Sequence, residues 1–153
     1  MTSYTVIERT AVLGASPERI LTLLTDLRAW QRWSPWEGLD ANLTRTYSGP
    51  HTGVGATYAW SGNRKAGSGV MTITGVTDTT VDIDLTFTRP FKSANRTGFT
   101  LAPEGDATRV TWRMEAPRTL GMRIAGLFMN MDKSIGGDFE KGLAALKGVV
   151  EGP

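Results

Sequence analysis

The feature that most limits the fold of this chain is a change in the spacing of its apolar residues near residue 116. Between about residues 42 and 115, apolar and polar residues alternate in short segments, which is typical of strands with one buried face. From about Leu120 to Val150, apolar residues recur every three or four positions, as in a helix. Because so long a helix must bury its apolar side, we expect it to cover the apolar face of the sheet.

Turn-forming residues divide the alternating region into six predicted strands, and an extended segment at residues 4–13 supplies a seventh. In the clearest strand, residues 80–87, the odd-numbered positions are apolar and the even-numbered ones are polar. The short connections predict an antiparallel meander with one apolar face and one solvated face.

Two short helices are predicted between the first strand and the second. Ser16 and Pro17 suit the N-cap and the first position of a helix whose apolar residues continue to Leu27. Asp26 can cap a second short helix, which Pro35 stops soon afterwards.

Three of the five tryptophans, Trp30, Trp33 and Trp36, fall within seven positions after the first helix. They could form a stacking surface for a ligand or nucleic acid, a membrane contact, or a structural plug. Only Arg28 and Arg32 supply positive charge nearby, which is too little for binding single-stranded nucleic acid. We interpret the segment as a structural plug with one ring at a cavity entrance.

Composition excludes several classes of protein. A chain of 153 residues that is 40% hydrophobic and 21% charged fits one domain spanning residues 1–153. Its 17 basic and 15 acidic side chains are scattered, so we expect no nucleic-acid partner. The chain has no cysteine, no apolar run of about 20 residues and no signal-peptide pattern. These features predict a cytoplasmic protein without stable membrane insertion.

Six segments in a fixed order carry a family resemblance: ASPERILTLLTD, WQRWSPW, GVGATYAWSGN, GSGVMTIT, ATRVTWRMEA and DFEKGLAALK. Together they resemble the START-like helix-grip superfamily, in particular the SRPBCC proteins of the polyketide cyclase/dehydrase type. The resemblance implies an α+β fold in which a curved seven-stranded antiparallel sheet grips a long C-terminal helix. It also implies a hydrophobic cavity between sheet and helix, but no single activity.

The predicted ligand-binding residues lie on the apolar face of the strands or on or beside the apolar stripe of the helix. Each of these positions taken singly fits a solid core. Large aromatic and methionine side chains that face small residues such as Gly67 and Gly69 would also suit an adaptable apolar pocket. The predicted set is Arg45, Tyr58, Trp60, Met71, Leu85, Phe87, Phe99, Trp112, Phe128, Met131, Asp132 and Ile135.

Three functions fit this pattern. The first is binding of a small hydrophobic or aromatic molecule, without cofactor or metal, by a monomer or homodimer. The second is an enzyme of the aromatase/cyclase kind that uses Asp132 or Arg45 in the same cavity. The third is a protein-binding module, for which the interior would be filled.

Two adjacent glycines, Gly136 and Gly137, interrupt the predicted helix. Each costs about 1 kcal/mol relative to alanine in a helix interior. They indicate either close packing against a neighbouring element or a hinge that opens an entrance to the pocket.

Overall fold

A computed structural model describes residues 4–36, 40–64, 66–89, 92–117 and 125–152. Within these ranges, the side chains of residues 4, 117, 125–132 and 134 lie outside the description.

Seven strands form one antiparallel sheet in the order β1-β7-β6-β5-β4-β3-β2. Strands β2 to β7 follow one another as a meander. Strand β1 forms the other edge of the sheet and pairs with β7 along its whole length. The α+β helix-grip fold predicted from the sequence is confirmed. The strands are β1 (Tyr4–Leu13), β2 (Thr44–Ser48), β3 (Thr57–Ser61), β4 (Ser68–Val76), β5 (Thr80–Arg89), β6 (Ser93–Glu104) and β7 (Ala107–Pro117).

The connection between β1 and β2 begins with helix α1, Pro17–Leu24. The Ser16 side chain caps it by accepting a hydrogen bond from the Arg19 backbone N–H at 3.3 Å, as predicted. The second predicted helix is a single 3₁₀ turn, Ala29–Arg32, closed by the Trp33 N–H donating to the Trp30 carbonyl. Its four residues are too few for a stable run of i to i+4 hydrogen bonds.

The C-terminal helix α2, Ala125–Glu151, runs without a break through Gly136 and Gly137. Gly136 lies against the Arg9 guanidinium of β1, whereas a methyl group at Gly137 would meet nothing within 4 Å. Close packing therefore holds at the first glycine, and the hinge stays a prediction. No helix of the described residues is long and apolar enough to cross a membrane. The side chains that α2 buries completely or nearly so are Phe139, Leu143, Leu146 and Val150.

Candidate ligand-binding cavity

The Trp112 indole on β7 is the centre of an aromatic cluster inside the sheet. Its ring lies 4.1 Å from the Phe139 ring of α2 and 5.0 Å from the Phe99 ring of β6, both stacked. Trp30 and Trp33 approach it edge-on at 6.0 and 5.5 Å. All five rings are at most 3% exposed, so this part of the interior is closed to solvent.

The tryptophan-rich segment is therefore a structural plug, as the sequence predicted. Trp30 and Trp33 are buried between the sheet and the 3₁₀ turn, and the Trp30 Nε1 donates to the Leu24 carbonyl at 3.0 Å. Trp36 is only half-buried, and its Nε1 donates to Oδ2 of Asp138 on α2 at 3.2 Å. The hydrogen bond ties this loop to the helix beside the opening described below.

A cavity of about 180 Å³ lies beside the cluster, between the sheet, the plug segment and α2. Strands β3, β4, β5 and β7 supply six of its thirteen described lining residues. Its residues are almost all apolar or aromatic, which suits an apolar ligand. They are Leu27, Trp30, Ser34, Trp36, Leu43, Tyr58, Trp60, Ala66, Met71, Leu85, Phe87, Met114 and Ile135.

Six predicted residues lie at the cavity wall: Tyr58, Trp60, Met71, Leu85, Phe87 and Ile135. Phe99 and Trp112, also predicted there, lie in the aromatic cluster instead, because Trp30, Trp33 and Phe139 pack directly on them.

Arg45 is another predicted residue that does not line the cavity. It is half-buried on the edge strand β2, opposite Trp60 in the pairing with β3. The side chains of Phe128, Met131 and Asp132 lie outside the described part of the chain. The binding roles assigned to these four residues remain predictions.

The remaining lining residues differ in how far the sequence could indicate them. Leu43 and Met114 share the apolar parity of their strands, and Leu27 belongs to the apolar pattern of the first helix. The apolar periodicity of the sequence is therefore enough to indicate that these three residues face the interior. Ser34 and Ala66 belong to no apolar periodicity in the sequence. They reach the cavity wall only through the tertiary fold.

Trp60 forms a wall whose position is fixed by two contacts. Its Nε1 donates to the Ala66 carbonyl at 2.9 Å, across the turn between β3 and β4. Its ring lies over Gly69, where a methyl group would come within 2.6 Å of the indole Cη2. The ring is also nearly parallel to Tyr58, with 5.9 Å between centroids and 19° between planes. Glycine at position 69 is thus required for this placement of the indole.

The cavity has a buried floor and a partly exposed rim. Leu27, Trp30, Met71, Leu85 and Met114 are at most 5% exposed and form the floor. The lining residues that solvent partly reaches are Ser34, Trp36, Leu43, Trp60, Ala66, Phe87 and Ile135. The cavity is open to solvent on this side.

The described lining offers little acid–base chemistry. It holds no carboxylate, imidazole, ammonium or guanidinium group, and the phenol of Tyr58 is its one ionisable side chain. The Ser34 hydroxyl accepts a hydrogen bond from the Trp36 backbone N–H at 3.3 Å. Such a surface can hold an apolar molecule but supplies no evident general base.

Other polar side chains on the inner face are engaged in internal hydrogen bonds. The buried Asn95 amide donates to the carbonyls of Leu85 and Ser93, both at 3.2 Å. The Thr97 hydroxyl donates to the Arg113 carbonyl at 2.8 Å and accepts from Trp112 Nε1 at 3.0 Å. These groups stabilise the sheet and the cluster.

Several charged side chains of the described residues lie at the surface and do not line the cavity. Asp82 and Asp84 are exposed on the outer face of the sheet, as their parity predicted. His51 is an exposed loop residue 3.6 Å from the Asp26 carboxylate. Arg89 donates to Ser61 and Ser68, each at 3.0 Å, and joins the ends of three strands. Within the described part of the chain, no three acidic or imidazole side chains form a metal-binding group.

Comparison with known proteins gives a family-model match over residues 4–151, described as polyketide cyclase / dehydrase and lipid transport. Curated protein sequences give no significant match. Among solved structures, norcoclaurine synthase from Thalictrum flavum, in complex with dopamine and hydroxybenzaldehyde, superposes with a TM-score of 0.71. It is 12% identical, and the match covers 97% of this chain and 87% of that one.

Two further structures have a similar fold. The Aha1 dimer from Colwellia psychrerythraea has a TM-score of 0.63 and 20% identity, covering 96% of both chains. Protein CV1439 from Chromobacterium violaceum has a TM-score of 0.68 and 15% identity, covering 97% of this chain and 98% of that one. At these identities the likeness concerns the fold alone.

Proposed function

The chain belongs to the polyketide cyclase / dehydrase and lipid transport family, and from that premise we propose that it binds a small hydrophobic molecule in the cavity between sheet and helix. The observation that carries the proposal is a cavity of about 180 Å³ whose wall consists almost entirely of aromatic, aliphatic and methionine side chains. An apolar molecule gains by leaving water for such a surface.

Binding without reaction is the function that the described lining favours. A cyclase or dehydratase must move protons, and this requires an acid or base held close to the reacting atoms. The described wall contributes only the hydroxyls of Ser34 and Tyr58. The Ser34 hydroxyl, which accepts a hydrogen bond from Trp36 N–H, can still donate one to a polar atom of the ligand.

An enzyme of the aromatase/cyclase kind is the second candidate. It is favoured by the family description and by the fold shared with norcoclaurine synthase, whose structure contains dopamine and hydroxybenzaldehyde. Asp132 on α2 and Arg45 on β2 are the groups that would serve it. Asp132→Asn and Arg45→Gln variants that lose turnover of a polyketide-like substrate, while keeping its binding, would support this candidate.

Native mass spectrometry of the purified protein tests the binding function directly. We expect a fraction of the molecules to carry a small organic molecule from the cells, which denaturing conditions release. Cavity filling by Ala66→Phe should abolish this adduct, because the new ring would occupy the rim beside Trp60. Val54→Phe, at an exposed loop position, is the matched control and should keep the adduct. An adduct unchanged in Ala66→Phe would contradict binding in this cavity.

The cytoplasmic location and the monomeric or dimeric state are part of the same proposal. A related fold has been solved as a dimer, that of Aha1 from Colwellia psychrerythraea. Light scattering of the purified protein, with and without the copurified molecule, would assign the oligomeric state.

A further inference from the structure

We infer that the cavity selects an uncharged, flat aromatic molecule of one or two fused rings, and that the face of Trp60 is the surface that makes the selection. This inference rests on the proposed binding function and specifies its ligand class. It is carried by the geometry of the Trp60 wall, the absence of charge among the described lining residues, and the volume of the cavity.

The Trp60 ring offers the cavity its face, because the N–H on its edge already donates a hydrogen bond within the protein. The indole N–H, its one hydrogen-bond donor, is bound to the Ala66 carbonyl. The ring cannot settle back into the sheet, because it already lies at contact distance over Gly69. The part of the π-face that Tyr58 and Phe87 leave uncovered is therefore the surface of Trp60 available to a ligand. Such a face favours another aromatic ring in an offset-stacked or edge-on arrangement.

Other residues of the lining also favour an aromatic ligand. Tyr58 stacks on Trp60 with 19° between the ring planes, so the two rings form one continuous aromatic wall. Phe87 stands at 87° to Trp60, and Trp30 and Trp36 form part of the remaining wall. Met71 and Met114 add sulfur atoms, which make favourable contacts with aromatic rings.

Charge on the ligand would be penalised. No charged side chain of the described residues lines the cavity. A carboxylate moved from water into such a site would lose its hydration without gaining a counter-ion. An uncharged ligand avoids this cost.

The volume limits the size of the ligand. The cavity of about 180 Å³ is slightly larger than the roughly 150 Å³ apolar cavity that takes up benzene in another protein. One ring or two fused rings fit this space, and a longer molecule would extend through the rim beside Trp36 and Phe87.

Isothermal titration calorimetry at neutral pH with three matched probes tests the inference. The probes are 2-naphthol, decahydro-2-naphthol and 2-naphthoate, which share a two-ring carbon skeleton. The second has saturated rings, which removes aromaticity and flatness together, and the third carries a charged carboxylate in place of the hydroxyl group. We expect 2-naphthol to bind about three to ten times more tightly than its saturated analogue. We expect 2-naphthoate to bind at least roughly a hundred times more weakly than 2-naphthol.

Two substitutions assign the preference to Trp60. Trp60→Phe keeps an aromatic face and should retain the preference for 2-naphthol over decahydro-2-naphthol. Trp60→Leu removes the face and should make the two affinities equal to within about twofold. Circular dichroism verifies that each variant is folded, and the comparison of probes on the unaltered protein stands even if Trp60→Leu does not fold.

The possible outcomes separate this inference from the proposed function. Equal or tighter binding of decahydro-2-naphthol by the unaltered protein would overturn the aromatic preference while leaving cavity binding intact. Tightest binding of 2-naphthoate would overturn the exclusion of charge. Failure of all three probes to bind would overturn the inference; it would reject the proposed function as well only if the purified protein also carries no copurified molecule.

Discussion

The rings of Trp112 and Phe139 stack face to face, with their centroids 4.1 Å apart and their planes 11° apart. This contact joins the sheet to α2, and it depends on Gly142, one helical turn further along. A methyl group at position 142 would lie 2.8 Å from Cζ3 of Trp112 and 2.9 Å from Cδ of Pro35. The absence of a side chain at Gly142 thus allows the helix to approach the cluster closely.

Gly142→Ala should therefore destabilise the protein, although alanine is the better helix former. We expect a loss of about 1 to 3 kcal/mol in the free energy of unfolding, because two rigid rings must shift. Gly137→Ala is the matched control in the same helix, where a methyl group meets open space. It should add about 0.5 to 1 kcal/mol. Urea unfolding measures both, and equal effects of the two substitutions would contradict this account of the packing.

In Gly69→Ala, the added methyl group should occupy space that the Trp60 indole now fills. The new methyl group would lie 2.5 Å from the Thr86 carbonyl oxygen and 2.6 Å from the ring. We expect a loss of about 1 to 3 kcal/mol in stability and a weaker affinity for 2-naphthol, because the ring must move into the cavity.

Gly98→Ala is the control for that experiment. Its methyl group would also lie 2.5 Å from a backbone carbonyl, that of Val81, but it belongs to the outer face of the sheet. A similar loss of stability without any change in 2-naphthol affinity is expected. If both variants bind 2-naphthol like the unaltered protein, Gly69 does not position the Trp60 wall.

Much of the fold could be predicted from the sequence, because two clear periodicities define the strands and the long helix. Alternation also identified the inner face that carries Trp60, Met71 and Leu85. Alternation cannot indicate which part of that face stays open, since Phe99 and Trp112 have the same parity as the cavity residues. Phe99 and Trp112 are covered because Trp30 and Trp33, which are distant in sequence, pack on them. A local sequence pattern cannot predict such a long-range contact.

The carboxylate of Glu151 should make stability depend on pH. The Lys147 side chain, and then the Gly14 backbone N–H, hydrogen-bond to it and lower its pKa below the ordinary value of 4.5. Since the pKa is depressed in the folded state, the stabilisation is complete above 4.5 and is lost as the pH falls through the folded value.

Glu151→Gln should consequently melt at a lower temperature than the unaltered protein at neutral pH. The difference should shrink below pH 4.5 and disappear once the carboxyl group is protonated in the folded protein. Lys147→Gln should flatten the pH dependence in the same interval, because it removes the charged partner. A difference in melting temperature that stays constant down to the most acidic pH would refute the linkage.

The hydrogen bond from Trp36 to Asp138 should hold the plug segment against α2. Asp138→Ala removes the acceptor and should cost about 1 kcal/mol in the free energy of unfolding. Asp138→Asn keeps a carbonyl oxygen at the same place and should cost less than half as much. Equal losses in the two variants would show that the charge of Asp138, and not this hydrogen bond, matters.

The most direct test of the central claim is a ¹³C-methyl methionine NMR titration with 2-naphthol. Met71 and Met114 lie on the buried floor of the cavity, and Met→Leu variants assign their signals. If 2-naphthol binds in the cavity, both methyl signals should shift progressively and saturate together. Their shifts should give the same dissociation constant as calorimetry. Saturable binding that leaves both signals unmoved would place the ligand elsewhere and contradict the account.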